Sequence, residues 1–464
     1  MDKKKEYSLL KIVLIPLLVY LVLTWFIPTG SFSGGEFVKG EVSSLGLYGL
    51  FSAPVYSFAV FAQYIILILC VGGFYGVLNK TGAYQSIVDS ISKKNKTCLL
   101  IFSVIIFALL SSLFGETMLV FILLPFFISV LCKAGYDKVS SMAATIGSTL
   151  IGMVASTSGN LAIYKNYFNL EPKSFILYNI ILLIILMFLL CMFIITKDKK
   201  EKGRKELIKD IPLYESVRGN KKSVAPLVIV LVISVLLIVL GGYNWFYSYG
   251  VKLFTELHEK ITGIELFKIS IFPRIFGNFS EIGYFSNYDI SAVLVISSVV
   301  ISWLYSIKFN EFIDSFKKGA KEMLLPGVYV ILASIIFAQV VTASGNISIT
   351  ISNSILKLFK DFNVFSGTLA GIAGSFFYND FLYLMNGLYG IVSTYEVGNM
   401  PFILSVFQST FGVMMFVLPV SVLLIGGLKY LNISYKEWIK YIWKFLLQVF
   451  VISVIGNIIL SMII

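Results

Sequence analysis

The chain has 464 residues, 58% of them hydrophobic, and a mean hydropathy of +0.89, which excludes a soluble globular protein. Its formal net charge of +12 is not the footprint of a nucleic-acid binder, because ten of the 37 lysines and arginines fall between Lys197 and Lys222 in one hydrophilic connector. Such clusters mark the cytoplasmic loops of membrane proteins.

Lys3, Lys4 and Lys5 precede a first span over about Leu9 to Ile27. The run continues into Trp25-Phe26-Ile27-Pro28 without a small-x-small cleavage site, so it reads as an uncleaved helix. An interfacial stretch near Leu47 to Phe58 follows. The second span, about Phe61 to Leu78, carries Gly72, Gly73 and Gly76, which permit close helix contacts. Residues 80–96 read as an amphipathic helix on the inner surface. The next apolar run, Cys98 to Leu110, is interrupted by Ser111-Ser112-Leu113-Phe114-Gly115-Glu116-Thr117, and another runs from Met118 to Cys132. After the link Lys133 to Lys138, a third run is broken by Ala155-Ser156-Thr157-Ser158-Gly159-Asn160, and a span over about Ser174 to Thr196 closes this part.

Beyond the connector come a span near Val224 to Leu240 and a polar, aromatic-rich stretch over 242–289, expected on the outer face. Then follow a span near Ile290 to Ser306, an inner amphipathic helix (309–322) and a span near Met323 to Thr342. Further breaks are expected at Gly374 to Asp380, at Gln408-Ser409-Thr410 and at Pro419-Val420-Ser421, before a final span over about Tyr441 to Ile463. The chain thus divides into an N-terminal part (1–60), a first transport repeat (61–196), the basic connector (197–223), additional spans with the long outer loop (224–322) and a second repeat (323–464). Placing the N-terminus in the cytoplasm puts the excess of Lys and Arg on inner loops, as a multi-pass protein of the cell membrane requires.

Sliding the chain on itself by 264 residues puts Ser111 on Ser375, Glu116 on Asp380, Thr157 on Ser421 and Lys165 on Lys429, and brings the apolar blocks into register. The loop count runs the two blocks in opposite directions. The expected fold class is therefore an all-α polytopic membrane protein with two inverted-topology repeats, each holding a re-entrant hairpin and a discontinuous helix.

An ionisable group deep in apolar sequence is a functional-site hypothesis, and small polar residues at that depth fit a backbone that unwinds to line a cavity. The candidate substrate- and ion-binding residues are Ser111, Ser112, Gly115, Glu116, Thr117, Ser156, Thr157, Ser158 and Asn160 in the first half, with Ser375, Asn379, Asp380 and Ser421 in the second. Buried carboxylates suit proton coupling or, if ionised, Na⁺, a lysine or a substrate amine. Hydroxyl, amide and carbonyl oxygens at the same residues suit Na⁺; no dedicated metal cluster is expected. The bland alternative is small-residue helix packing and capping. The four cysteines (Cys70, Cys98, Cys132 and Cys191) stand in or beside apolar runs, and His258 has no His or Cys near it, so no disulfide frame, cofactor or catalytic set is expected. No phosphate-binding glycine loop occurs, which disfavours an ATP-driven pump.

At these residues the chain resembles the YfcC-type family of the ion transporter superfamily, related to anaerobic C4-dicarboxylate carriers and aminobenzoyl-glutamate transporters. The resemblance spans nearly the whole chain, through Leu23-Thr24-Trp25-Phe26-Ile27-Pro28-Thr29-Gly30, Lys80-Thr81-Gly82-Ala83, Phe114-Gly115-Glu116-Thr117, Ala134-Gly135-Tyr136-Asp137 and Ala155 to Asn160. It implies paired re-entrant hairpins, inverted repeats and uptake or exchange of small organic solutes. Related folds often place a scaffold at a dimer interface, which leaves a homodimer as an open expectation. The chain departs from the family pattern at Thr117, where a second acidic residue is usual, at Tyr378-Asn379-Asp380-Phe381, and at Leu418 and Val420 beside Pro419.

The expected function is an H⁺- or Na⁺-coupled symporter or exchanger working by alternating access, not an enzyme. Its partners would be a small-molecule substrate, the coupling ion and the bilayer. The three arginines, Arg204, Arg218 and Arg274, all fall in loops, so a doubly anionic substrate would meet no guanidinium fork in the site. Charge balance therefore favours an amino acid or peptide-like solute, with a C4-dicarboxylate as the first alternative and a drifted, non-transporting membrane protein as the second.

Overall fold

A computed structural model describes residues 3–33, 36–115, 118–160, 173–200, 211–215, 223–266, 269–277, 279–342, 346–359, 362–394 and 400–463. Helix α1 (Lys3–Phe26) leads into a short hairpin of β1 (Gly30–Ser33) and β2 (Glu36–Lys39), paired antiparallel with Gly30 opposite Lys39. Helices α2 (Gly46–Val60), α3 (Ala62–Lys80) and α4 (Ala83–Ser92) follow, then a long helical hairpin of α5 (Lys96–Phe114) and α6 (Val120–Lys133). Asn95 starts α5 by accepting from the amides of Thr97 (2.9 Å) and Cys98 (3.2 Å), and Gly115 ends it with φ +70°. Asp137 caps α7 (Lys138–Met142), which passes through a π-helical turn (Ala143–Gly147) into α8 (Ser148–Val154). The chain then unwinds, makes one 3₁₀ turn (Ser158–Asn160), and resumes in α9 (Lys173–Lys200).

After the connector come α10 (Ala225–Gly242), α11 (Trp245–Tyr249), α12 (Leu253–Thr262), the two-residue strands β3 (Glu265–Leu266) and β4 (Ile269–Ser270), α13 (Ile271–Phe276) and α14 (Asn287–Leu304). Helix α15 (Phe309–Ala333) and α16 (Ile335–Thr342) are bent by 46° at Ser334. The expected inner amphipathic helix therefore runs without a break into the first part of the span after it, 323–333, and the bend at Ser334 divides that span. The chain closes with α17 (Ile347–Lys357), a shorter hairpin of α18 (Val364–Ser375) and α19 (Phe381–Val392), then α20 (Met400–Met414), α21 (Val422–Leu431) and α22 (Tyr435–Ile463). Among the described residues seven helices are long and apolar enough to cross a membrane, or eight if the bent pair is one span. The protein is an all-α polytopic membrane protein.

The order of elements from α3 to α9 recurs from α15 to α22: a span, a short helix, a hairpin, an interrupted helix and a long closing span. At the centre α3 packs on α15 with their backbones touching. A Cβ built on Gly319 would stand 2.0 Å from the carbonyl oxygen of Gly72, and one on Gly76 would stand 2.1 Å from that of Ser315. In a bilayer, where helices gain no hydrophobic energy by meeting, such close backbone approach supplies the dispersion contact that holds them together. The glycines at 72 and 76 were the sequence signal for it.

Candidate transport site

The first hairpin and the first interruption are bonded together at the C-terminal end of α5. Ser112 is fully buried and donates from Oγ to the carbonyl of Ala155 at 2.9 Å. Its own carbonyl accepts from the amide of Thr157 (2.9 Å), Oγ1 of Thr157 (3.1 Å) and Oγ of Ser156 (3.3 Å). Ser158 donates to the carbonyl of Leu113 at 2.9 Å. The hydroxyls of the break thus satisfy the last carbonyls of α5, which have no intrahelical partner. Gly115 and Gly159 touch backbone to backbone: a Cβ on Gly115 would stand 2.8 Å from the Gly159 oxygen, and one on Gly159 would stand 2.5 Å from the Gly115 nitrogen. Ser111 is 1% exposed, and its Oγ is a buried group with no hydrogen-bond partner among the described residues. Glu116 and Thr117, which follow Gly115 directly, lie outside the described residues.

The second half reaches into this break through Gln408, which is 1% exposed. Its Nε2 donates to the carbonyls of Ser156 (3.1 Å) and Val154 (3.4 Å), and its Oε1 accepts from Nδ2 of Asn160 at 3.0 Å. Gly412, one turn on, lets α20 lie against the end of α8, since a Cβ there would stand 2.5 Å from the Val154 nitrogen. From the third side Asn179 of α9 donates to the same Ser156 carbonyl at 2.9 Å, and its buried Oδ1 has no partner among the described residues. Helix α20 runs unbroken through Gln408-Ser409-Thr410, which corrects the break expected there. An amide inside a helix can satisfy itself on a neighbouring helix without unwinding its own. The second interruption is at 415–421, around Pro419, and Ser421 caps α21 by accepting from the Leu424 amide at 3.4 Å.

The second hairpin is organised differently. Asp380 is the N-cap of α19, its Oδ1 accepting from the amides of Leu382 (2.8 Å) and Tyr383 (3.3 Å). Its Oδ1 therefore serves the helix start. Asn379 donates to Oγ of Ser334 at 3.0 Å, which ties this hairpin to the bend between α15 and α16. Ser375 is spent on the carbonyl of Gly371 at 2.6 Å within its own helix. The structure thus joins Ser111, Ser112, Gly115, Ser156, Thr157, Ser158 and Asn160 in one place. Ser375, Asn379, Asp380 and Ser421 are distributed over the second hairpin and the second break.

Gln408, Asn179 and Tyr243 were absent from the candidate set. Tyr243 donates to the carbonyl of Ser158 at 3.2 Å and packs edge-on against Phe114, with ring centroids 5.0 Å apart. The first two left a usable signal, a lone amide within an otherwise apolar span. The contact of Tyr243 joins a loop to a distant tip and left none.

The sequence profile of the C4-dicarboxylate anaerobic carriers (DcuC) matches residues 7–462. No curated protein matches the chain. Among solved structures it is similar to the YdaH transporter of Alcanivorax borkumensis at 13% identity and a TM-score of 0.38, covering 98% of each chain. The profile match bears out one branch of the resemblance carried by the hairpin and break motifs, and over nearly the whole length: this chain belongs to the family of C4-dicarboxylate anaerobic carriers.

Proposed function

We propose that the chain is an H⁺- or Na⁺-coupled secondary carrier of small organic anions of the C4-dicarboxylate class. The observation that carries this reading is the junction of the two halves at one unwound segment, where Gln408 grips the carbonyls of Val154 and Ser156. Interrupted helices offer amides to an anion and carbonyls to a cation, which lets one site couple a solute to an ion. The expectation of an amino acid rested on the absence of arginine from the spans and on two hairpin carboxylates facing the solute. With Oδ1 of Asp380 engaged in capping α19, the carboxylate part of that argument is weakened, and family membership favours the dicarboxylate. Glu116 at the first tip supports the second reading, an amino acid or peptide-like solute whose amine it would meet. Under either reading residues 61–196 and 323–464 are inverted repeats and rock by alternating access. The protein sits in the cell membrane with its N-terminus and connector in the cytoplasm, and the α3–α15 pair is a scaffold suited to a homodimer.

The test is uptake of radiolabelled succinate into proteoliposomes under an imposed Na⁺ or H⁺ gradient, beside thermal stabilisation by dicarboxylates, amino acids and dipeptides. A ligand held at 100 times its Kd stabilises the native state by about 2.7 kcal/mol. Gradient-dependent succinate uptake, lost or uncoupled in Glu116→Gln, supports the proposal. Stabilisation by amino acids or dipeptides alone transfers it to the second reading, and a folded protein that answers to none of these ligands sinks both.

A further inference from the structure

Within the basic connector the segment Ile211 to Glu215 is threaded between the two halves. Its backbone is read like a bound peptide. The Leu213 amide donates to the Glu322 carboxylate at 3.0 Å, and the Leu213 carbonyl accepts from Nδ2 of Asn79 at 2.9 Å. The Glu215 amide donates to Oδ1 of Asn79 (3.1 Å), and the Glu215 carbonyl accepts from Gln85 (3.0 Å). The Pro212 carbonyl accepts from the Tyr430 hydroxyl at 3.0 Å. Leu213 is 3% exposed and sits at φ +54°, a conformation a β-carbon disfavours, so its burial offsets backbone strain. The Tyr214 hydroxyl bonds both Lys133 (2.6 Å) and Asp89 (3.2 Å), which also pair with each other. Lys318 pairs with the Glu215 carboxylate at 2.5 Å.

Apart from Gln85 and Asp89 on α4, which packs on both α3 and α6, these partners belong to two groups of elements. Asn79, Lys318 and Glu322 stand on the α3–α15 pair, whose glycine contact makes it one rigid unit. Lys133 ends the first hairpin, and Tyr430 ends the helix that follows the second interruption. We propose that Ile211–Glu215 is a latch: it holds the ends of α6 and α21 against the α3–α15 pair and must release Lys133 and Tyr430 before this face of the carrier opens. The inference rests on the alternating-access reading, but its test needs no substrate.

Cys132 is the reporter, 7% exposed and adjacent to Lys133. In a Cys70→Ala/Cys98→Ala/Cys191→Ala background it is the single thiol, and its alkylation by a bulky maleimide requires opening, so the rate scales with the open population. Tyr214→Phe/Tyr430→Phe removes the two side-chain hydroxyls of the latch and keeps both rings. Losing these bonds, each a modest net contribution, raises the open population and the alkylation rate about tenfold, with the thermal midpoint nearly unchanged. Replacing Ile211–Glu215 by a Gly-Ser segment of equal length gives an increase at least as large. An unchanged rate in both variants overturns the latch, even if transport is demonstrated. So does a rate that rises only in step with a falling midpoint, the signature of a merely structural contact. Absence of transport alongside a tenfold rise would leave the latch standing and remove the carrier reading.

Discussion

Three glycines separate the cost of a backbone conformation from the cost of a closed contact. Gly46 and Gly115 share one conformation, φ +65° and +70°, but a Cβ on Gly46 would meet nothing within 4 Å. Gly46→Ala therefore costs only the left-handed penalty of about 1 kcal/mol. Gly159 lacks the positive φ but would place its Cβ 2.5 Å and 2.8 Å from the nitrogen and Cα of Gly115, atoms that no rotamer change can move aside. Relieving that overlap pulls the break off the end of α5 and stretches the Thr157 amide and Ser158 hydroxyl bonds, for about 2 kcal/mol. Gly115→Ala combines both terms at about 3 kcal/mol. In detergent, apparent unfolding midpoints should fall least for Gly46→Ala, further for Gly159→Ala and furthest for Gly115→Ala. Succinate uptake in proteoliposomes should survive only in the first. If Gly115→Ala unfolds with Gly46→Ala and still transports, the hairpin and the break are not clamped as described, and the site built on that clamp fails with them.

Asp380→Asn keeps an N-cap acceptor and should retain stability and uptake, whereas Asp380→Ala should cost about 1 kcal/mol; uptake lost in the Asn variant at full stability would return this carboxylate to the substrate. Gln408→Leu preserves bulk but removes the grip on Val154 and Ser156, for about 2 kcal/mol, and should abolish uptake while Gln408→Asn retains part of it. Wild-type uptake in Gln408→Leu would place the junction outside the transport path. Burial holds the Tyr214 phenol above its ordinary range, against the lowering influence of the Lys133 ammonium that bonds it. Because the folded-state value is raised, its contribution is complete below the ordinary phenol value and is lost as pH rises through the raised one. The ultraviolet titration of wild type minus Tyr214→Phe should therefore show one phenol ionising above pH 10.0, and a midpoint at or below that value would contradict its half-buried placement.

The sequence was most readable where hydrocarbon imposes its rules. Spans, breaks and the Gly72–Gly76 face follow from the need to satisfy every backbone group inside the helix or at a polar break, so apolar runs and their interruptions mark them directly. The Ser111–Gly115 and Ala155–Asn160 segments were recognisable for that reason, and they do meet. The role of Asp380 was not legible, because a carboxylate at a helix start reads the same whether it caps amides or meets a solute. Nor was Gln408 placed: a side-chain amide in mid-helix resembles an unwinding signal until the neighbouring helix that receives its hydrogen bonds is known. The docking of Leu213 eluded sequence reasoning because connector composition reports charge, whereas its partners are the Glu322 carboxylate and the Asn79 side-chain amide, each over a hundred residues away.

The two hairpins are unequal, and that inequality bears on how the site works. At 1.5 Å per residue the 19 residues of α5 reach about 28 Å, close to the hydrocarbon thickness, while the 12 residues of α18 reach about 18 Å. The longer hairpin begins at the face that holds the connector, where Lys96 pairs with Asp198, and its far end meets the Phe114–Tyr243–Trp245 ring cluster. The shorter hairpin ends partway, at the Ser334 bend. Two tips that reach unequally cannot form a symmetric pair of ligands around one midplane point, whatever the similarity in the order of their elements. The end of α5 and the first break are bonded together, and the second half reaches them through Gln408. A symmetric two-carboxylate site would make Asp380→Asn and Glu116→Gln equivalent; under the proposed reading, with Asp380 capping α19, the first should be mild and the second severe.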